Sequence, residues 1–132
     1  MKKILVIEDN KHVRENTAEL LALAGYAVVT AENGKMGVEK AKEFAPDLVI
    51  CDIMMPQMDG YDVLRTLAQD STTSSTPFIF LTAKTDRADM RMGMNLGADD
   101  YLTKPFEEKE LLDAIFCRLN KTDFLKKEIA KN

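Results

Sequence analysis

The chain has 132 residues, 45% hydrophobic and 30% charged, with a formal net charge of −4. That length suits one domain with its own core, and the composition is that of an ordinary globular protein. The acidic balance, without a basic cluster, argues against a nucleic-acid surface, and no apolar stretch approaches the roughly 18 residues of a membrane span. Met1-Lys2-Lys3 runs straight into a short β-rich segment that lacks the length and cleavage site of a secretory leader, so a cytoplasmic location is expected. Cys51 and Cys117 fall in apolar segments without metal-ligand or redox spacing, and both read as reduced, buried thiols.

The first strand is expected over Ile4-Leu5-Val6-Ile7 and delivers Glu8-Asp9. Val13, Thr17, Leu20, Leu21 and Ala24 then follow helical spacing, with Asn10 as N-cap and Gly25 closing the helix. Tyr26 to Ala31 reads as a second strand, and Asn33-Gly34 turns into a helix carrying Val38 and Ala41. Pro46-Asp47 introduces a third strand, Leu48-Val49-Ile50-Cys51, which delivers Asp52. After the loop Met54-Met55-Pro56-Gln57-Met58-Asp59-Gly60, Val63, Leu64 and Leu67 mark a third helix. A polar connector from Asp70 to Thr76 leads to Pro77 and the strand Phe78-Ile79-Phe80-Leu81, which ends on Thr82. A methionine-rich helix spans about Arg87 to Leu96, and a short strand from Asp100 to Thr103 delivers Lys104-Pro105. A last helix, from about Phe106, is expected to bury Leu111, Leu112, Ile115, Phe116 and Leu119.

Continuous apolar runs bounded by turn residues are the signature of strands buried on both faces of a parallel sheet. Five strand–helix repeats imply an α/β, doubly wound sheet with right-handed crossovers and helices on both faces. No Gly-x-Gly-x-x-Gly follows the first strand, so the flavodoxin-like order 2-1-3-4-5 is preferred to the Rossmann order. Residues 1–120 form the domain. In residues 121–132 the apolar positions Phe124, Leu125 and Ile129 slip out of phase with Ile115 and Leu119, so the helix either breaks near Asn120-Lys121-Thr122 or continues with a second apolar face. The segment is a charged tail or the start of a helical linker.

Sites in open α/β sheets lie at the carboxyl ends of the strands, where Glu8, Asp9, Asp52, Thr82 and Lys104 converge. Three neighbouring carboxylates repel one another unless a cation joins them, and an oxygen-only set with few protein ligands suits Mg²⁺. Lys104 adds a point charge and Thr82 a hydroxyl, both suited to the equatorial oxygens of a phosphoryl group. Asp52, at the end of the central buried run, is then the candidate nucleophile for an aspartyl phosphate. From the residues alone, the Lys104–Pro105 bond is more often trans than cis.

The acid pair Glu8-Asp9, the segment Cys51-Asp52-Ile53-Met54-Met55-Pro56-Gln57-Met58-Asp59-Gly60, Thr82-Ala83, and Gly97-Ala98-Asp99-Asp100-Tyr101-Leu102-Thr103-Lys104-Pro105-Phe106 resemble the response-regulator receiver domain (CheY-like) of two-component signalling. The similarity covers residues 2 to about 119, and the preferred strand order draws on it too. It implies that Asp52 takes a phosphoryl group from a sensor histidine kinase or phosphotransfer protein. Asp9, Asp52 and the Met54 backbone carbonyl would ligate Mg²⁺, with Glu8 acting through water. Lys104 would pair with a phosphoryl oxygen next to a cis bond to Pro105. Thr82 and Tyr101 would be a switch pair that biases the surface of the fourth helix, fifth strand and fifth helix toward an output partner or domain. A monomer or a phosphorylation-dependent dimer is implied, but Ala114 follows Glu110-Leu111-Leu112-Asp113 where OmpR-type receivers carry an arginine, which counts against their dimer. No membrane and no direct nucleic-acid contact is expected.

Two other readings start from the same residues. A haloacid-dehalogenase-type phosphatase needs a second aspartate two positions after the first, and Met54 stands there. Turnover should therefore be slow, as in a switch and not an enzyme. An FMN-binding flavodoxin would need a Ser/Thr/Gly-rich loop where Glu8-Asp9 stands. His12, the only histidine, reads as solvent-facing; Met90 and Met94 read as core or half-exposed packing, Met92 as part of the signalling face, and Lys84 as a modulator of water access.

Overall fold

A computed structural model describes residues 1–131, apart from the side chains of 124, 126, 130 and 131. Its elements are β1 (Lys3–Ile7), α1 (Lys11–Leu23), β2 (Ala27–Ala31), α2 (Gly34–Phe44), β3 (Leu48–Cys51), α3 (Gly60–Gln69), β4 (Phe78–Thr82), α4 (Arg87–Asn95), β5 (Asp100–Thr103) and α5 (Glu108–Lys131). The strands form one parallel sheet in the expected order β2-β1-β3-β4-β5.

Because side chains alternate along a strand, each central strand feeds two cores. Leu5, Ile7, Val49, Cys51, Phe78 and Phe80 pack on one face with Ala41, Tyr61, Val63, Leu64 and Leu67 of α2 and α3. Ile4, Val6, Leu48, Ile50, Ile79 and Leu81 pack on the other with Leu21 of α1 and Leu111, Ile115 and Leu119 of α5. This double burial is why the three central strands read as unbroken apolar runs.

Local signals close the elements. Asn10 and Asn33 cap α1 and α2, their side chains accepting from Val13 N at 3.0 Å and Met36 N at 2.8 Å. A reciprocal pair, Asp59 and Asp62, caps α3. Gly25, at φ +98°, turns the chain out of α1.

Five expectations are corrected or resolved. Phe116 is 60% exposed and Cys117 is exposed, so neither joins the core. Both follow Ile115 on the helix and are rotated off the stripe of Leu111, Ile115 and Leu119, since successive residues turn by about 100°. Tyr26 precedes β2, and α5 begins at Glu108 instead of Phe106. α5 does not break near Asn120: it runs 24 residues, about 36 Å, with Leu125 and Ile129 exposed. Among the described residues, no helix is long and apolar enough to cross a membrane.

Candidate functional site

The parallel register sets Ile7 beside Cys51, Cys51 beside Phe80 and Thr82 beside Thr103. The residues that follow are therefore brought to one edge. Asp52 N donates to Ile7 O at 3.0 Å, Glu8 N to Ala31 O at 3.0 Å and Lys104 N to Thr82 O at 2.8 Å, which extends the sheet into the site. One carboxylate oxygen each from Glu8, Asp9 and Asp52 lies within 4.8 Å of the others. Glu8 and Asp52 are buried, whereas Asp9 is exposed.

Asp52 uses its two oxygens differently. Oδ1 accepts from Ile53 N at 2.7 Å and Met54 N at 3.3 Å, while Oδ2 faces Lys104 Nζ at 3.1 Å. The same ammonium donates to Glu8 Oε1, and Asn10 N donates to Glu8 Oε2 at 3.3 Å. Burial pushes the Glu8 carboxyl up to about 7, Asp52 adds to the rise, and Lys104 opposes it. Burial by itself would lower Lys104, but Glu8 and Asp52 outweigh it and leave the ammonium raised. The site thus holds more negative charge than its one lysine neutralises. An all-oxygen donor set in that condition fits a hard divalent cation.

Thr82 is fully buried at the end of β4, its Oγ1 accepting from Lys84 N at 3.3 Å. Tyr101 is turned inward, 7% exposed, and its hydroxyl donates to Lys84 O at 2.9 Å. The Lys104–Pro105 peptide is cis, as the family resemblance implies. Met54 is 58% exposed in the loop after Asp52, so the position where a phosphatase needs its second acid carries an apolar, solvent-facing side chain. The Asp52 loop is pressed against α3: a Cβ on Gly60 would lie 2.3 Å from Asp52 O and 2.8 Å from Ile53 Cα. Cys51, directly before Asp52, is fully buried, and burial pushes its thiol well up, so it is an inert packing group.

Two residues that the sequence reading passed over join this region. Arg14 Nη1 donates to the Glu8 carbonyl at 2.9 Å and the Asp9 carbonyl at 3.4 Å, so α1 reaches back to hold the acid pair. Tyr61 donates to Asp89 O at 3.1 Å and ties α3 to α4. Arg14 had a signal in sequence, an arginine on the helix directly after an acid pair; the Tyr61 contact had none. His12 is exposed, as expected, and Met90, Met92 and Met94 are 37%, 39% and 44% exposed.

A family profile described as the response regulator receiver domain matches residues 4–116. The chain is 42% identical over 126 residues to the probable transcriptional regulator ycf27 of Guillardia theta, covering 93% of this chain and 48% of that protein. It is 38% identical over 123 residues to the DNA-binding dual master transcriptional regulator RpaA of Synechocystis, covering 93% and 51%. The chain thus spans about half the length of the curated relatives it matches. Among solved structures, a response regulator receiver domain protein of Clostridium thermocellum superposes with a TM-score of 0.88 at 33% identity, covering 95% of this chain and 99% of that one. The chemotaxis protein CheY4 of Vibrio cholerae superposes at 0.83 with 32% identity, covering 87% and 96%. Nothing among these relatives favours a phosphatase.

Proposed function

The chain belongs to the response regulator receiver domain family of two-component signalling, and we propose that Asp52 is its phosphoryl acceptor. The observation that carries this reading is the convergence of Glu8, Asp9 and Asp52 oxygens within 4.8 Å, with Lys104 Nζ 3.1 Å from Asp52 Oδ2. An Asp52 carboxylate oxygen attacks the phosphorus of a phosphohistidine on a sensor histidine kinase or phosphotransfer protein. The P–O bond forms as the P–N bond breaks, and the released imidazole nitrogen takes up a proton. Mg²⁺, held by Asp9, Asp52 and the Met54 carbonyl, with Glu8 acting through water, would neutralise charge on the transferring group.

Lys104 exchanges part of its contact with Glu8 and Asp52 for a phosphoryl oxygen, and the Thr82 hydroxyl donates to another. The added charge, about −1.5 to −2, recruits these two groups and favours the inward Tyr101. Output then passes through the surface of α4, β5 and α5 to a partner protein or a further domain, as the names of the curated relatives, DNA-binding and transcriptional regulators, suggest. Met54 moves no proton, so hydrolysis of the phospho-aspartate is slow: the protein acts as a cytoplasmic switch and not as a turnover enzyme.

Intact-mass analysis after incubation with acetyl phosphate, with and without Mg²⁺, tests the reading. A Mg²⁺-dependent phosphoryl adduct is expected on the wild type and not on Asp52→Asn. An adduct that persists on Asp52→Asn would overturn the choice of acceptor.

A further inference from the structure

α4 is weakly anchored by its own sequence. Its N-cap position, Asp86, makes no side-chain cap hydrogen bond, and Gly93 is its one buried residue. At Gly93 the helix lies close on the sheet: a Cβ there would come within 3.0 Å of the Phe80 ring and 3.3 Å of Tyr101. What holds the N-terminal part of α4 and the loop before it comes from elsewhere. Tyr101, on β5, donates to Lys84 O at 2.9 Å, and Tyr61, on α3, donates to Asp89 O at 3.1 Å. The two rings flank Phe80 edge-on, with centroids 5.5 Å and 5.9 Å from it. Lys84 Nζ stands 3.7 Å from Asp89 Oδ2 and closes the gap between the two anchor points.

We propose that Tyr61 is a positioning residue for the switch, its hydroxyl clasping the first turn of α4 to α3 and so sharing with Tyr101 the holding of the loop that follows Thr82. Both phenols are largely buried, and burial raises both above the ordinary tyrosine value, so they stay protonated donors at neutral pH. The two hydroxyls hold neighbouring points of one segment, Lys84 in the loop before α4 and Asp89 in its first turn. A change that frees one of these two points therefore lowers the population of the arrangement that the other stabilises. The switch has two tyrosine anchors, one on each neighbour of α4. This rests on the phospho-acceptor reading for its link to Asp52, while the clasp itself can be measured without phosphate.

Tyr61→Phe keeps the ring against Phe80 and removes only the donor. Amide hydrogen exchange on the metal-free, unphosphorylated variant is expected to accelerate about two- to tenfold over residues 87–95, the range one neutral hydrogen bond supports, with β1 and β3 unchanged. The initial rate of Mg²⁺-dependent phosphoryl uptake from acetyl phosphate should fall by a similar factor. With Tyr101→Phe, the double variant should be non-additive on α4 exchange. Unchanged exchange in α4, or uniform acceleration across the sheet, would overturn the clasp. Faster exchange with an unaltered uptake rate would overturn its role in the switch. If the wild type takes up no phosphoryl group, the phospho-acceptor reading fails while the exchange result still decides the clasp.

Discussion

Lys104 Nζ bridges Glu8 and Asp52, two buried carboxylates that follow different strands, at 3.1 Å from Asp52 Oδ2. Its side chain is itself only 19% exposed, so the cluster is shielded from the water that would otherwise screen it. One ammonium faces two acids directly, with a third acid nearby. Most of the site's expected behaviour follows from that imbalance.

Replacing Lys104 with Met strands two buried carboxylates. Removing one partner of a buried ion pair typically costs about 3–5 kcal/mol, and the residual exposure of Lys104 (19%) and Asp52 (10%) places the expectation at the lower end, about 3 kcal/mol at pH 8 without divalent cations. Urea denaturation of Lys104→Met and wild type measures it. The loss should shrink on acidification, as the stranded carboxyls take up protons.

The Glu8 carboxyl is raised from its ordinary 4.5 to about 7. Between those values the folded protein holds a proton that the unfolded chain has released, so metal-free stability falls as pH rises from about 4.5 to 7 and levels off above. The sign is that of a raised acid: its stabilising contribution is greatest below both values. The full contribution is at most about 3 kcal/mol at 1.36 kcal/mol per unit. Urea midpoints of wild type and Glu8→Gln across pH 4.5 to 8 test this; the variant should lack the slope. Divalent cations bind the deprotonated carboxylate, so added Mg²⁺ should flatten the wild-type slope too.

Arg14 holds the Glu8 and Asp9 carbonyls from α1. Arg14→Gln should leave the sheet intact and weaken Mg²⁺ binding by about tenfold, the lower range for partners that orient metal ligands. Titration of Mg²⁺ followed by amide chemical shifts in the Glu8–Asp9 loop reads the affinity directly. An affinity equal to wild type would remove Arg14 from the site.

Gly60 has backbone on the far side of its absent Cβ, with Asp52 O at 2.3 Å. Backbone cannot yield as a flexible side chain can. Gly60→Ala should therefore destabilise the fold by about 2–3 kcal/mol and slow phosphoryl uptake by displacing Asp52. At Gly37 the three nearest atoms to an added Cβ all belong to the Ile7 side chain, the terminal methyl carbon first at 2.5 Å, so Gly37→Ala should cost less. Thermal melts of the two variants compare the cases.

Five strands, the Asn10 cap of α1 and the edge where Glu8, Asp9, Asp52, Thr82 and Lys104 meet were legible in the amino-acid sequence. Each of those rests on local information: an apolar run buried on both faces, an Asn before a helix, a polar residue directly after a strand. Tertiary structure decided the rest. Phe116 and Cys117 sit within an apolar stretch, yet exposure depends on which side of α5 meets the sheet, and that side is set by Leu111, Ile115 and Leu119. The persistence of α5 through residues 121–131 was left open by a slip in apolar phase and settled only in the folded chain. The contact between Tyr61 and Asp89 joins residues 28 apart on different helices. Hydrophobic periodicity records how each element meets the core, but a hydroxyl on one helix meeting a carbonyl on another depends on how both helices are seated on the same sheet.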